Sequence, residues 1–65
     1  MQEYQKRVVD EKTELDGRIN RLESFIQSKN FNTVDANEQE RLHFQIPIMR
    51  RYSAILDERI AAFKD

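Results

Sequence analysis

The sequence predicts an all-α protein: an antiparallel two-helix hairpin that assembles into a homo-oligomeric helical bundle. First, the 65 residues include one Gly, one Pro and no Cys, a composition that suits helices and excludes disulfides. Second, apolar residues recur at helical spacing in two long segments that a short polar segment separates. Third, a chain this short without disulfides or metal ions rarely buries enough apolar surface to be stable alone, so self-association is expected.

The first helix is predicted over about residues 3–29. Its apolar residues follow one another in steps of seven, four, three and four, which places them on one helix face: Val8, Leu15, Ile19, Leu22 and Ile26. The segment SKNFNTVDANE then brings together Asn, Ser, Thr and Asp. These residue types favour turns and helix caps, so a turn is predicted at about residues 30–35.

The second helix is predicted over about residues 36–64. Asp35 and Glu38 have the spacing of a capping box at its start. One stripe along this helix, here called its seam, follows alternating steps of four and three and is apolar except for a serine: Leu42, Ile46, Met49, Ser53, Leu56, Ile60 and Phe63. Because the connection is short, the two helices should lie antiparallel, and residues 1–65 are predicted to form a single domain.

Pro47 stands inside the second helical pattern. A proline within a helix removes one N–H donor and pushes away the carbonyl four residues earlier, here that of His43. The seam nevertheless continues in phase through Ile46 and Met49. We therefore expect a kink near Pro47 within a continuous helix, with a bend that wraps around a partner helix, and not a break.

A turn centred on residues 33–34 would set the register of the hairpin. Leu15 would then face Ser53, and Lys12 would face Leu56. Each pair of residues that face one another across the hairpin is here called a layer, so two layers contain a polar residue. Four aromatic residues lie off the strict seam and are expected to supply contacts between protomers: Phe25, Phe31, Phe44 and Tyr52.

The sequence carries no catalytic signature. It contains no Gly-rich phosphate loop, no Cys nucleophile and no partner arrangement for His43, so neither an enzyme nor a cofactor is predicted. One His without Cys forms no zinc ligand set, and His43 is expected at the surface or an interface. No apolar run approaches the length of a membrane span, and a net charge of −1 disfavours a nucleic-acid polymer as partner. A cytoplasmic protein is expected.

The arginines are distributed unevenly. Between Glu40 and Asp57 there is no acidic residue, and Arg50, Arg51 and Arg59 have no carboxylate three or four residues away along the helix. One interpretation is that they pair with carboxylates across the hairpin, where Arg50 and Arg51 should lie near Glu14 and Asp16. The other is that they line a recess for an anion, because guanidinium groups match phosphate oxygens.

Five residues are candidates for ligand binding. Arg7 and Arg59 lie beside the same predicted layer, although an acidic residue four positions before Arg7 also allows a plain surface ion pair. Lys12 could extend its ammonium group out of the seam, fix the register or bind an anionic ligand. Phe31 and Tyr52 could belong to the core or an interface, or could stack on a nucleobase.

Two segments, YQKRVVDEKTELDGRINRLESFI and MRRYSAILDERIAAF, carry a resemblance to a known family. They resemble the small helical-hairpin domain shared by phage anti-CBASS and anti-Thoeris sponge proteins, over about residues 4–63. Gly17 within the first helix and Pro47 within the second depart from that pattern. Some relatives also carry an N-terminal β domain, and none is expected before Tyr4.

The resemblance implies a function. Members of that family are not enzymes; they assemble, commonly as hexamers, and hold cyclic di- and trinucleotides or cyclic ADP-ribose isomers without cleaving them. It implies that Arg7 and Arg59 bind phosphates and that Phe31 stacks on a base. It also implies that the protein acts in the cytoplasm of the infected bacterial host. The alternative is a helical-hairpin oligomer that acts as a protein- or RNA-binding regulatory or structural module.

Overall fold

The protein is a rod of two antiparallel helices in the computed structural model, which describes residues 1–64. Helix α1 spans Glu3–Ile26, a short 3-10 helix spans Lys29–Thr33, and helix α2 spans Ala36–Ala61. The described residues contain no strand. The prediction of an all-α fold with two long helices is confirmed. The extents of the rod are 49 × 15 × 13 Å.

The first helix ends at Ile26, earlier than the predicted end near residue 29, and the chain then tightens into the 3-10 helix. The Ser28 hydroxyl donates to the Phe25 carbonyl at 2.7 Å, and the Thr33 hydroxyl donates to the Asn30 carbonyl at 2.7 Å. Short polar side chains that bond to nearby carbonyls compete with the α-helical pattern. The segment predicted as a turn is therefore largely helical, in the tighter 3-10 form.

Polar side chains fix the beginnings of both helices. Asp35 accepts a hydrogen bond from the Asn37 N–H at 3.0 Å and so caps α2. Glu38, the expected second half of a capping box, instead pairs with Arg41 at 2.7 Å. At the start of α1, the Gln5 side chain accepts a hydrogen bond from the backbone N–H of Gln2 at 2.8 Å.

The core is a thin stripe between the helices. Leu56 is fully buried, and Val8, Leu15 and Ile19 are buried around it, with partly buried apolar side chains from α2 and the segment that follows it packed against them. The further partners are Met49, Ile60 and Phe63. The two seams that the spacing predicts are therefore the faces that meet. A single layer of contact leaves most of each helix at the surface.

Helix α2 continues through Pro47 without interruption. Ile46 is buried and Met49 partly buried on either side of it, so the apolar face keeps its phase. Gly17 likewise lies inside α1, and no described glycine has a positive φ. A break at Pro47 is therefore excluded. Neither described helix is long and apolar enough to cross a membrane.

Candidate functional site

A polar layer replaces apolar packing where Lys12 enters the seam. The Lys12 ammonium group donates to Ser53 Oγ at 2.9 Å and to Asp16 Oδ2 at 3.0 Å, and lies 3.2 Å from Asp57 Oδ2. The Ser53 hydroxyl donates to Asp16 Oδ1 at 2.6 Å. The layer thus joins the helices through an ion pair and a shared serine, close to the register predicted from the turn.

The charges of this layer stabilise one another. The hydrogen bond to Asp16, with further support from Asp57, raises the pKa of Lys12 above its ordinary value. The hydrogen bonds from the Ser53 hydroxyl and then from Lys12 lower the pKa of Asp16. An ammonium group has three N–H donors, and three acceptors surround it here. Lys12 is therefore engaged within the hairpin, and an anionic ligand would have to compete with two carboxylates.

A shallow recess of about 190 Å³ lies on one side of the hairpin, and Tyr52 forms part of its wall. Glu11 and Glu14 line it from α1, and Arg7 precedes them by four and seven residues, which places it on the same helix stripe. Arg59 follows Tyr52 by seven residues on α2, again on the same stripe. Three of the five candidate residues, Arg7, Tyr52 and Arg59, therefore share one side of the rod. The remaining residues of the recess are Leu15 and Arg18.

The cations on this side differ in their partners. Arg18 pairs with Glu14 at 2.6 Å. Arg7 and Arg59 are exposed and form no ion pair with another residue of the described part of the chain. Both flank the layer of Val8 and Ile60 near the open end of the hairpin. Neither arginine lines the recess itself, and among residues 1–64 neither guanidinium group has a carboxylate partner.

Arg50 agrees with the interpretation that the arginines pair with carboxylates across the hairpin. It pairs with Glu23 across the hairpin, whereas the register had suggested Glu14 or Asp16 as partners for this region of α2. Long side chains reach further along a neighbouring helix than their backbone positions indicate. Arg51 is exposed and forms no ion pair within residues 1–64, so the two neighbouring arginines have different surroundings.

Phe31 lies at the closed end of the rod. It is 7% exposed, and its ring makes edge contacts with Phe25 and His43 at centroid distances of 5.9 and 5.5 Å. Gln39 donates to the carbonyls of Phe31 and Val34 at 3.0 and 2.9 Å, which ties the turn to α2. Phe31 thus holds the turn together, far from the end where Arg7 and Arg59 lie.

A second recess, of about 280 Å³, lies beside Pro47. It contains the paired Arg50 and Glu23 along with Gln27 and His43. The positive and the negative side chain of this recess therefore neutralise each other. Among residues 1–64, no three His, Cys, Asp or Glu side chains are placed to hold a metal ion.

Nearly the whole chain is similar to known proteins. A family model described as Sequestin matches residues 2–62. The chain belongs to the Sequestin family. It is also 46% identical over 61 residues to a protein of Enterobacteria phage T4, across 94% of this chain and 95% of that one. That relative is described as an uncharacterized 7.5 kDa protein in the denB-rIIB intergenic region. No solved structure gives a significant match.

The Sequestin match and the phage relative confirm the resemblance to a phage family that the two helical segments indicated. Two features of the site region were missed by reasoning from the sequence. One is the contact of Lys12 with Asp57, the residue next to the expected neighbour Leu56. The other is Gln5, which is 1% exposed and donates to the Lys64 carbonyl at 3.1 Å. Gln5 falls three residues before Val8, so its seam position was the available signal.

Proposed function

We propose that this protein is a phage-encoded immune-evasion sponge. It binds cyclic nucleotide second messengers, either cyclic di- and trinucleotides or cyclic ADP-ribose isomers, and sequesters them without cleavage. By withdrawing these messengers in the cytoplasm of the infected bacterial host, it blocks CBASS or Thoeris defence. The proposed activity needs no metal ion and no cofactor.

The family match carries this proposal. The Sequestin model covers residues 2–62, nearly the whole chain, and the name of the family describes sequestration. A sequestering protein needs affinity for its ligand and no chemistry on it. The absence of a catalytic signature from the sequence agrees with such a role.

Arg7 and Arg59 are the proposed phosphate ligands. Both guanidinium groups are exposed beside one layer of the hairpin, and charge-assisted hydrogen bonds to phosphate oxygens are among the strong ones in proteins. Tyr52, 42% exposed on the same side, is the proposed stacking surface for a base. Lys12 and Phe31 support the site indirectly in this proposal, since Lys12 fixes the register and Phe31 holds the turn.

The proposed site is completed by assembly. A single hairpin offers open recesses and a thin core, which suits a protomer whose ligand lies between copies. A homo-oligomer, with a hexamer favoured over a dimer by the resemblance, would repeat the two arginines around each ligand. A bend at Pro47 is part of this proposal, because it would let α2 follow the surface of a neighbouring helix.

Calorimetric titration with a panel of cyclic di- and trinucleotides and cyclic ADP-ribose isomers tests the function. We expect at least one ligand to bind and to be recovered intact by mass spectrometry after the protein is heat-denatured. Absence of binding across the panel would refute the proposal. Recovery of a cleaved product would show an enzyme instead.

The site assignment has its own test. Arg7→Ala and Arg59→Ala should each weaken binding by about 1.5 to 3 kcal/mol, the range for hydrogen bonds to charged groups, which is roughly 10- to 150-fold. Lys29→Ala removes an exposed cation at the opposite end of the rod and serves as the matched control. Unchanged affinity in both arginine variants would remove them from the site while leaving the sponge function open.

A second candidate function is a protein- or RNA-binding regulatory or structural module. The observation that favours it is the set of large apolar side chains exposed on α2, including Phe44 at 65% and Ile48 at 69%. Steeply salt-dependent binding to loop or duplex RNA would support the RNA-binding form of this second function. The net charge of −1 argues against that form.

A further inference from the structure

Helix α2 has a second apolar stripe that α1 does not cover. Four large side chains follow one another at steps of four, four and three residues and are 65, 69, 42 and 39% exposed: Phe44, Ile48, Tyr52 and Ile55. Single exposed apolar residues are ordinary, but a contiguous row on one helix face marks an interaction surface.

The stripe belongs to a second heptad pattern, out of phase with the seam that packs on α1. Its central positions follow in steps of three, four, three, four and three: Arg41, Phe44, Ile48, Arg51, Ile55 and Glu58. All six are exposed. Over these eighteen residues the row is about 26 Å long at 1.5 Å rise per residue, which is long enough for helix-to-helix packing.

We propose that α2 pairs antiparallel with α2 of a second copy of this chain, about a two-fold axis between Met49 and Arg50. This inference rests on the self-assembly included in the proposed function and names its surface and register. About that axis, Phe44 packs on Ile55 of the second copy. Ile48 packs on the aliphatic stem of Arg51 of the second copy, whose guanidinium group extends to solvent. Each contact occurs twice by symmetry.

The charges decide between the antiparallel and the parallel arrangement. In the antiparallel register, Arg41 faces Glu58 of the second copy, and this pair of opposite charges occurs at both ends of the row. In a parallel pair each central position faces its own counterpart, so Arg41, Arg51 and Glu58 would each meet a like charge. Opposite charges at such positions set orientation in helix pairs, and like charges oppose it.

The pairing also bears on the ligand site. Tyr52 is at once a residue of the stripe and part of the wall of the recess, and Arg59 lies one heptad after it. A second copy seated on the stripe therefore borders the recess and narrows its open side. The surface that joins two copies and the surface proposed to hold the ligand are continuous.

Cysteine cross-linking tests the register, because the natural chain contains no Cys. Phe44→Cys protein is mixed with Ile55→Cys protein of different mass, the mixture is equilibrated and oxidised, and disulfide-linked species are resolved by mass spectrometry. We expect the mixed Phe44→Cys with Ile55→Cys product and little of the Phe44→Cys self-product. Asn20→Cys, on the exposed face of α1, replaces Ile55→Cys as the collision control.

A charge exchange gives a second measurement. Arg41→Glu should weaken self-association about tenfold, because two symmetric surface pairs turn from attractive to repulsive. Adding Glu58→Arg to the same chain should restore it. Sedimentation velocity over a concentration series measures both effects, and circular dichroism checks that the variants remain helical.

The outcomes separate the pairing from the sponge function. Efficient Phe44→Cys self-linking, or an oligomer that fails to link Phe44→Cys with Ile55→Cys, overturns the antiparallel register. A monomer that still binds a cyclic nucleotide overturns the pairing and leaves the sponge. A cross-linked dimer that binds no ligand of the panel overturns the sponge and leaves the pairing.

Discussion

Leu56 is the position at which the hairpin should be most sensitive to truncation. Its side chain is 0% exposed and packs among the buried Val8, Leu15 and Ile19. Leu56→Ala removes three carbon atoms, and at about 0.8 kcal/mol for each buried methylene the transfer cost alone is about 2.4 kcal/mol. The cavity left behind adds to this, within the range of about 2 to 5 kcal/mol for such substitutions.

The lower half of that range is expected for Leu56→Ala. The flexible side chain of Met49 packs against the same cluster and can move into part of the space. We therefore expect a loss of about 2.5 to 3.5 kcal/mol in the free energy of unfolding. A domain of this size has little more stability than that to lose, so the variant should be largely unfolded at moderate temperature.

Urea denaturation followed by circular dichroism measures the effect, at several protein concentrations so that self-association is separated from hairpin stability. Leu42→Ala is the matched control, because Leu42 is the same residue type on the same helix and seam but only partly buried and outside the central cluster. It should cost about 1 kcal/mol. Equal losses in the two variants would refute a core centred on Leu56.

Three further predictions follow from polar groups and the proline. Because the pKa of Asp16 is lowered, stability is lost as the pH falls below about 4, and Asp16→Asn should flatten this acidic part of the stability–pH curve. Because the pKa of Lys12 is raised, stability is lost as the pH rises above about 10.5, and Lys12→Met should remove this alkaline loss. Thermal melts over a series of pH values measure both effects. Gln5→Ala should cost about 1 to 2 kcal/mol and speed amide hydrogen exchange at the helix ends, because the buried side chain bonds to the Lys64 carbonyl. Pro47→Ala should stabilise the isolated hairpin by up to about 3 kcal/mol, since it restores a backbone N–H inside α2; a lower melting temperature at low protein concentration would contradict this.

The helices and the faces by which they meet could be predicted because they depend on periodicity. Residues such as Leu15 and Leu56 recur at the spacing of one helix face, and a short connection leaves two such faces only one way to meet. The polar layer was predicted in outline, since Lys12 and Ser53 stand at seam positions. Apolar spacing is a property of the whole segment, so it survives local errors in the ends of the helices.

Details that depend on single side chains could not be predicted in this way. The partner of Arg50 is Glu23 because a long flexible side chain samples more than one turn of the facing helix. The burial of Phe31 follows from the 3-10 geometry of the turn, which competing hydroxyl-to-carbonyl bonds create. Similarly, seam spacing brought Arg7 and Arg59 to one layer but gave no account of which cations have carboxylate partners.

The hydrogen bond between Gln5 and Lys64 has a practical consequence for handling this protein. It holds the first turn of α1 against Lys64, so the first and last of residues 1–64 lie at the end of the rod that carries Arg7 and Arg59. An affinity tag fused to either terminus would place its bulk next to the arginines. The exposed positions of the 3-10 helix lie towards the far end of a 49 Å rod. A fluorophore or surface tether attached there would leave the proposed site unobstructed.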